Sequence, residues 1–163
     1  MHYASVHRPA GHWPSESAAG SITLEFDARH RRRIRLITDQ GEDVLIDLPQ
    51  AVAMADGDAL QLEDGRFLKI HAAAEPIVEV RHREPSQLVR LAWNLGNRHL
   101  ATEIREHVLR IRPDYVIEDM LRRFGAELMK VQAPFQPEGG AYGGDDHHHH
   151  HDHDHDRDGH RHA

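Results

Sequence analysis

The side chains with the clearest chemical potential are the histidines near the end of the sequence. Nine histidines fall within residues 147–162, and the first five are consecutive. They are His147, His148, His149, His150, His151, His153, His155, His160 and His162. Imidazole suits nickel, zinc and copper as a ligand, whereas carboxylates alone favour magnesium or calcium. The pattern therefore predicts binding of a divalent metal ion, and we expect Ni(II), with Zn(II) or Cu(II) as alternatives at the same sites.

Aspartates alternate with histidines in the same segment, from His151 to His155. A carboxylate beside an imidazole can orient its ring or complete the coordination of an ion. An artificial purification tag is the alternative interpretation. The histidine run is interrupted by Asp and Arg before His160-Arg161-His162, which is not typical of a designed tag. We therefore interpret the segment as a natural metal-binding tail.

One further histidine, His99, ends the run Leu95-Gly96-Asn97-Arg98-His99, between a predicted helix and a predicted strand. On local sequence alone, a single histidine that follows a helix end is more often a structural residue than a ligand. A single imidazole cannot hold an ion, because a tight site needs about four donors. A two-fold dimer would bring two copies of His99 together. The tail could add further nitrogens, since the ten Gly-rich residues from Pro137 to His147 span roughly 18 Å r.m.s..

Composition excludes several kinds of chemistry. The 163 residues include no cysteine, which removes disulfides, Cys-type zinc sites, iron–sulfur clusters and thiol nucleophiles. The formal net charge is −7, and it is −3 without the six Asp and two Arg of residues 145–163. An acidic body argues against nucleic acid as a partner, although the basic run 29–35 leaves RNA or lipid binding as a minor alternative. No apolar run approaches a membrane span, and we expect a cytoplasmic protein.

The first half of the chain predicts a small all-β domain. Residues 1–20 show no sustained apolar period and predict a flexible arm. Apolar and polar residues alternate from Ser21 onwards in short runs that are separated by Gly- and Asp-rich turns, which is typical of strands with one buried face. We place this domain at residues 21–74, and the Ala-rich stretch 72–76 marks the boundary.

The second half, residues 75–134, predicts a ferredoxin-like β-α-β-β-α-β domain, so that the whole chain is of the α+β class. The first helix is expected to have Ser86 as its N-cap and to stop at Gly96, a residue that tolerates positive φ. The second helix is expected to begin at the cap Asp114 and to end at Gly125. Residues 135–163 are expected to form a flexible tail.

Several motifs resemble those of the UreE family of urease accessory nickel metallochaperones. They are Gly96-Asn97-Arg98-His99, Asp114 with Asp119-Met120-Leu121 and Phe124-Gly125, Pro134-Phe135-Gln136-Pro137-Glu138, and Gly140-Ala141-Tyr142. The resemblance covers nearly all of the chain after residue 20. It implies a homodimer with an interface ion bound by His99 of each subunit, and a peptide-binding-like N-terminal domain. It also implies nickel transfer to the urease GTPase accessory protein and to the complex of urease apoprotein with its accessory proteins.

The chain departs from this family pattern at one ligand position. Some relatives carry His-Asp-His where this sequence has Pro113-Asp114-Tyr115, so a peripheral two-histidine site is in doubt. His107 could substitute as a ligand, or it could be an ordinary strand histidine.

The alternative function is storage or detoxification of nickel or zinc, which would need the tail but no fixed dimer site. An enzyme is not expected. No metalloprotease-like spacing, which would place a general base beside metal-bound water, is present.

Overall fold

The computed structural model describes residues 1–139, which form an N-terminal sheet domain followed by an α/β domain. The N-terminal strands are β1 (His2–Arg8), β2 (Ala18–Leu24), β3 (Arg33–Ile37), β4 (Asp43–Asp47), β5 (Ala59–Leu62) and β6 (Phe67–Ala72). The second domain contains β7 (Ala74–Arg81), α1 (Pro85–Asn97), β8 (Glu103–Arg105), β9 (Val108–Ile111), α2 (Tyr115–Arg123) and β10 (Glu127–Pro134).

The first domain is a six-stranded sheet with the strand order β2-β6-β5-β1-β4-β3. β1 is parallel to β4 and β2 is parallel to β6, whereas the other pairs are antiparallel. Alternate residues of these strands point into one apolar core, as the two-residue period of their sequences predicts. The core includes Ile22, Val44, Ile46, Leu60, Leu68 and Ile70.

The prediction of a flexible arm over residues 1–20 is wrong. β1 lies in the middle of the sheet, between β4 and β5. The indole Nε1 of Trp13 donates to the carbonyl of Gly57 at 3.1 Å. Sequence periodicity could not show this strand, because Ala4 is its buried residue while Tyr3 and Val6 are exposed. Backbone pairing with two neighbours holds β1, and its side chains contribute little apolar burial.

The second domain confirms the predicted β-α-β-β-α-β order. Its sheet is antiparallel throughout, with the strand order β10-β7-β9-β8. Leu91 and Leu95 of α1 and Leu121 of α2 are buried in one cluster with strand residues of β7 and β9. One helix start differs from the prediction, because Glu84 occupies the N-cap position and Pro85 is the first helical residue in place of a Ser86 cap. Proline suits that position, since its missing N–H would have no helical partner there.

The two domains meet around Arg29, which begins the basic run but is buried. Its guanidinium donates to the carbonyls of Leu24 (3.3 Å), Met54 (2.9 Å) and Phe135, and to Oε1 of Gln136 at 3.1 Å. Burial lowers the pKa of Arg29, and the Glu75 carboxylate acts in the opposite direction. An arginine stays charged at neutral pH. One cation therefore joins the first domain to the segment that follows β10.

Arg29→Met should destabilise the protein by at least about 3 kcal/mol, because it removes a buried cation that several acceptors surround and leaves their oxygens without donors. Arg31→Met is the matched control, since Arg31 belongs to the same basic run and is exposed. Its free energy of unfolding should stay within about 0.5 kcal/mol of the original. Urea denaturation at one fixed protein concentration measures both changes. Equal effects of the two substitutions would contradict the role of Arg29 as the junction between the domains.

Candidate metal centre

His99 lies directly after α1, at the point where the helix backbone turns away. The N–H of His99 donates to the carbonyl of Gly96 at 3.0 Å, and the N–H of Leu100 donates to the carbonyl of Leu95 at 3.2 Å. These two bonds form a Schellman motif, in which the residue after the C-cap takes a left-handed conformation. That residue is His99, with φ 56°. The prediction that Gly96 stops the helix is wrong, because α1 continues through Gly96 to Asn97.

The end of α2 shows how unusual His99 is. α2 ends in the same pair of hydrogen bonds, from Gly125 to Arg122 and from Ala126 to Leu121, with glycine in the left-handed position at φ 81°. Among residues 1–139, His99 is the only residue other than glycine with positive φ. Left-handed backbone costs a residue with a Cβ roughly 1–2 kcal/mol. Such outliers cluster at functional sites, which supports a functional role for this histidine.

Within the described residues, His99 belongs to no cluster of metal-binding side chains. Its side chain is exposed, and within residues 1–139 no three His, Asp or Glu side chains are grouped so that they could hold an ion. His107 lies in the turn between β8 and β9, exposed and 3.4 Å from the Glu106 carboxylate. The nine tail histidines, 147–162, lie outside the described residues. An ion at His99 therefore needs donors from the tail or from a second molecule.

Exposed apolar side chains flank the His99 segment on both helices. On α1, Val89 and Trp93 are 71% and 68% exposed. They lie one turn apart, on the same face of the helix as Gly96. The exposed side chains of Tyr115 and Val116 on α2 and of Phe124 at its C-cap line a groove of about 410 Å³ together with Arg98. Clustered apolar exposure of this kind marks interaction surfaces.

The segment after β10 is hydrogen-bonded to the residues that lead from His99 into β8. The N–H of Gln136 donates to the Glu103 carboxylate at 3.0 Å, and the N–H of Glu138 donates to the carbonyl of Thr102 at 2.9 Å. The partner of Glu138, Thr102, thus stands three residues after His99 in the chain. The sequence motifs contain both segments, but only the fold shows that they are adjacent.

A charge network joins the three neighbouring strands β7, β8 and β9 of the second domain. Arg110 on β9 donates to Glu79 on β7 at 2.7 Å and approaches Glu103 on β8 to 3.7 Å. Hydrogen bonds from Arg110, and then from Arg81, lower the pKa of Glu79. Glu79 is therefore ionised at neutral pH. These ion pairs connect β7, β8 and β9, whereas the side chain of His99 faces solvent.

Comparison with known proteins identifies two matching domain models. The model described as UreE urease accessory protein, N-terminal domain, matches residues 4–73. The model described as UreE urease accessory protein, C-terminal domain, matches residues 75–163. No helix among the described residues is long and apolar enough to cross a membrane.

Similar proteins named urease accessory protein UreE occur in several bacteria. That of Rhodopseudomonas palustris (strain BisB18) is 54% identical over 128 residues, which cover 78% of this chain and 61% of the relative. That of Bradyrhizobium sp. (strain ORS 278) is 53% identical over 132 residues, 81% of this chain and 63% of the relative. That of Beijerinckia indica subsp. indica is 49% identical over 147 residues, 89% and 84% of the two chains. The chain thus spans less than two thirds of the length of the first two relatives.

Substitutions at His99 should reveal its left-handed backbone independently of any metal. His99→Gly and His99→Asn should fold at least as stably as the original, since both residues accept positive φ. His99→Val should lower the free energy of unfolding by at least about 1 kcal/mol, because a β-branched residue does not fit this conformation. His107→Val is the control, an exposed histidine with ordinary φ. Urea denaturation of metal-free protein measures all four, and equal losses for the two valine variants would contradict the assignment.

Proposed function

Because the chain belongs to the UreE family of urease accessory proteins, we propose that it is a nickel metallochaperone. In this proposal it binds Ni(II) as cargo in the cytoplasm and delivers it for assembly of the urease active site. Its role is that of a carrier, and it catalyses no step of urea hydrolysis. The observation that carries the proposal is His99, an exposed imidazole that the end of α1 holds in a backbone conformation that glycine normally adopts.

Fixed backbone at His99 makes binding of an ion there favourable. The Schellman hydrogen bonds hold the Cα of His99, and Leu100 packs on the core of the second domain. An ion bound at this position orders few additional torsions, whereas each ion bound by the tail must order several residues. We therefore assign the tight site to His99 and the larger, weaker capacity to the tail histidines. Zinc and copper accept the same imidazole ligands, so that the in-cell supply of metal contributes to selectivity.

A homodimer completes the His99 site in this proposal. Two-fold symmetry places each surface against its own copy, and the exposed apolar side chains on α1 and α2 lie on either side of the Gly96–His99 segment along the chain. Gly96 leaves open space where a side chain would otherwise project, with no atom within 4 Å of a Cβ built there. A second subunit can therefore approach the helix closely near the proposed axis.

The partners that we propose are the urease GTPase accessory protein and the complex of urease apoprotein with its accessory proteins. The sheet of the first domain indicates where an extended segment of a partner could bind. At the β2 edge, the Gln40 and Asp39 side chains already accept from the N–H groups of Ser21 and Thr23, at 2.9 and 3.2 Å. β3 lies at the other end of the sheet. Strand addition by a partner therefore fits β3 better than β2.

Trp93→Glu should convert the dimer to a monomer, because it places a charge in the proposed interface. The side chain is 68% exposed, so the folded subunit should lose little stability. Ile37→Glu is the matched control, since Ile37 is 59% exposed on β3 of the first domain. Light scattering of both variants with Ni(II) present gives the molecular mass. An unchanged dimer in Trp93→Glu, or a monomeric original protein, would refute the proposed interface.

Nickel titration should separate the two kinds of site. Deletion of residues 145–163 should lower the number of ions per dimer while keeping a tight site and activation of urease apoprotein at ample nickel. His99→Asn keeps the backbone conformation, and it should retain most of the ions but lose the tight site and most of the activation. Calorimetry and an activation assay measure both variants. If the deletion abolishes activation while His99→Asn activates normally, the tail is the working site and His99 is only a residue in a turn.

A further inference from the structure

A cavity of about 210 Å³ lies where the two domains meet. The first domain contributes Phe26, Ala53 and Met54 to its wall. Ala101, which leads into β8, and Pro137, which follows β10, line the other side. Met54 is buried whereas Ala53 is exposed, so the cavity extends from the interior of the protein to solvent. A molecule or side chain that enters it therefore contacts both domains at once.

Contacts within the protein hold this wall in position. The ring of Phe26 contacts the buried ring of Phe135, with 5.3 Å between centroids, and its N–H donates to the Glu75 carboxylate at 2.8 Å. The N–H of Met54 donates to the carbonyl of Arg29 at 3.0 Å, and the Arg29 guanidinium donates to the carbonyl of Met54 at 2.9 Å. The cavity is therefore preformed, and a preformed site loses little entropy when it binds.

The volume of the cavity suits a single side chain. An engineered apolar cavity of about 150 Å³ admits benzene, and pockets for drug-sized molecules measure roughly 300–1,000 Å³. The junction cavity, at about 210 Å³, lies between these sizes. It is large enough for the ring of a phenylalanine and too small for a drug-sized molecule. Protein interfaces place aromatic or aliphatic anchor residues in pockets of this kind.

Charges around the cavity favour an uncharged side chain. Arg29 lines the cavity and stays charged at neutral pH, so a basic side chain would meet a like charge. Burial lowers the pKa of Arg29, and nearby carboxylates, Glu75 first among them, oppose that shift. An acidic side chain would meet those carboxylates and that of Glu138, which also lines the cavity. A neutral apolar side chain avoids both costs and gains from burial. His30 and Gln136 line the cavity as well, and they can hydrogen-bond to the backbone that carries such a side chain.

We propose that this cavity is a docking site into which a partner protein inserts one uncharged apolar side chain of about the size of phenylalanine. Ala101 in the cavity wall stands two residues after His99, and two residues span at most about 7 Å of backbone. The docked side chain therefore lies beside the backbone that leads to His99. That the partner receives nickel rests on the proposed function, whereas the docking site itself does not.

Methionine-methyl NMR of the metal-free, full-length protein tests the docking site without any assumption about nickel. The probe is N-acetyl-phenylalanine amide, a neutral molecule that carries the phenyl ring between two peptide groups. The Met54 methyl resonance should shift saturably, because an aromatic ring enters the cavity that Met54 lines. Met120 lines the groove beside α2 and Met129 is 54% exposed, so their unchanged resonances should exclude binding in that groove and non-specific binding. The N-acetyl amides of lysine and glutamate should bind at least about tenfold more weakly, because each buries a charge.

Filling the cavity should prevent binding of the probe. Ala53→Leu adds a larger side chain to the wall and should weaken binding at least about tenfold, because the leucine takes the space of the ring. Ala51→Leu is the matched control, the same change at an exposed residue of the same loop that does not line the cavity, and it should leave binding unchanged. An unshifted Met54 resonance in the original protein would overturn the proposal, and so would a shift of Met120 alone. Binding that Ala53→Leu leaves unchanged would also overturn it, because the probe would then bind elsewhere.

Nickel delivery is tested separately, because it also depends on the carrier function. Ala53→Leu should keep the tight nickel site but activate urease apoprotein several-fold more slowly than the original protein, and Ala51→Leu should activate it normally. Normal activation by Ala53→Leu would overturn the inference that the docked partner receives nickel. A protein that binds the probe as expected but neither binds nor delivers nickel would refute the carrier function and leave the docking site intact.

Discussion

The arrangement of the two domains depends on one buried guanidinium. Arg29 satisfies carbonyls of Leu24 and Met54 in the first domain and of Phe135 after the last strand of the second. A planar guanidinium can serve several acceptors in fixed directions, which the point charge of a lysine cannot do. Phe135 and Gln136 continue into Glu138, and this segment also bonds to Glu103 and Thr102 of the second domain. A single side chain therefore connects the first domain to the segment that follows β10.

The candidate centre combines an ion-paired and hydrogen-bonded support with an exposed imidazole. The charge network of Glu79, Arg110 and Glu103 fixes the strands behind it, and the Schellman hydrogen bonds fix the Cα of His99. At the end of α2 the same geometry is built with Gly125, at no steric cost. At the equivalent place after α1, a histidine adopts the left-handed backbone at a cost in stability. In return, the protein presents an imidazole at a defined point on its surface. That trade is the physical reason to regard His99 as functional.

The second domain could be predicted from sequence because local signals agree with its tertiary contacts. Helical stripes such as Leu88 to Leu95, the Asp114 cap and the Gly125 stop each require only neighbours in the chain. The central strand β1 could not be predicted, since its order comes from backbone pairing with residues far away and only Ala4 is buried. The end of α1 was misplaced because glycine normally takes the left-handed position and here a histidine does. The contacts of Arg29, like the hydrogen bond from Glu138 to Thr102, depend on long-range packing that leaves no periodic pattern in the sequence.

The central position of β1 has a consequence for how the protein forms during synthesis. Its partners in the sheet are β4 and β5, and the side chains of His7 and Asp58 that meet across this pairing are 51 residues apart in sequence. β1 therefore leaves the ribosome well before β5, and it stays unpaired until most of the first domain has been translated. Closing such a long loop makes folding slow compared with local helix formation. The polar side chains of β1 suit that delay, because an unpaired strand with few apolar groups offers little surface for aggregation while it waits.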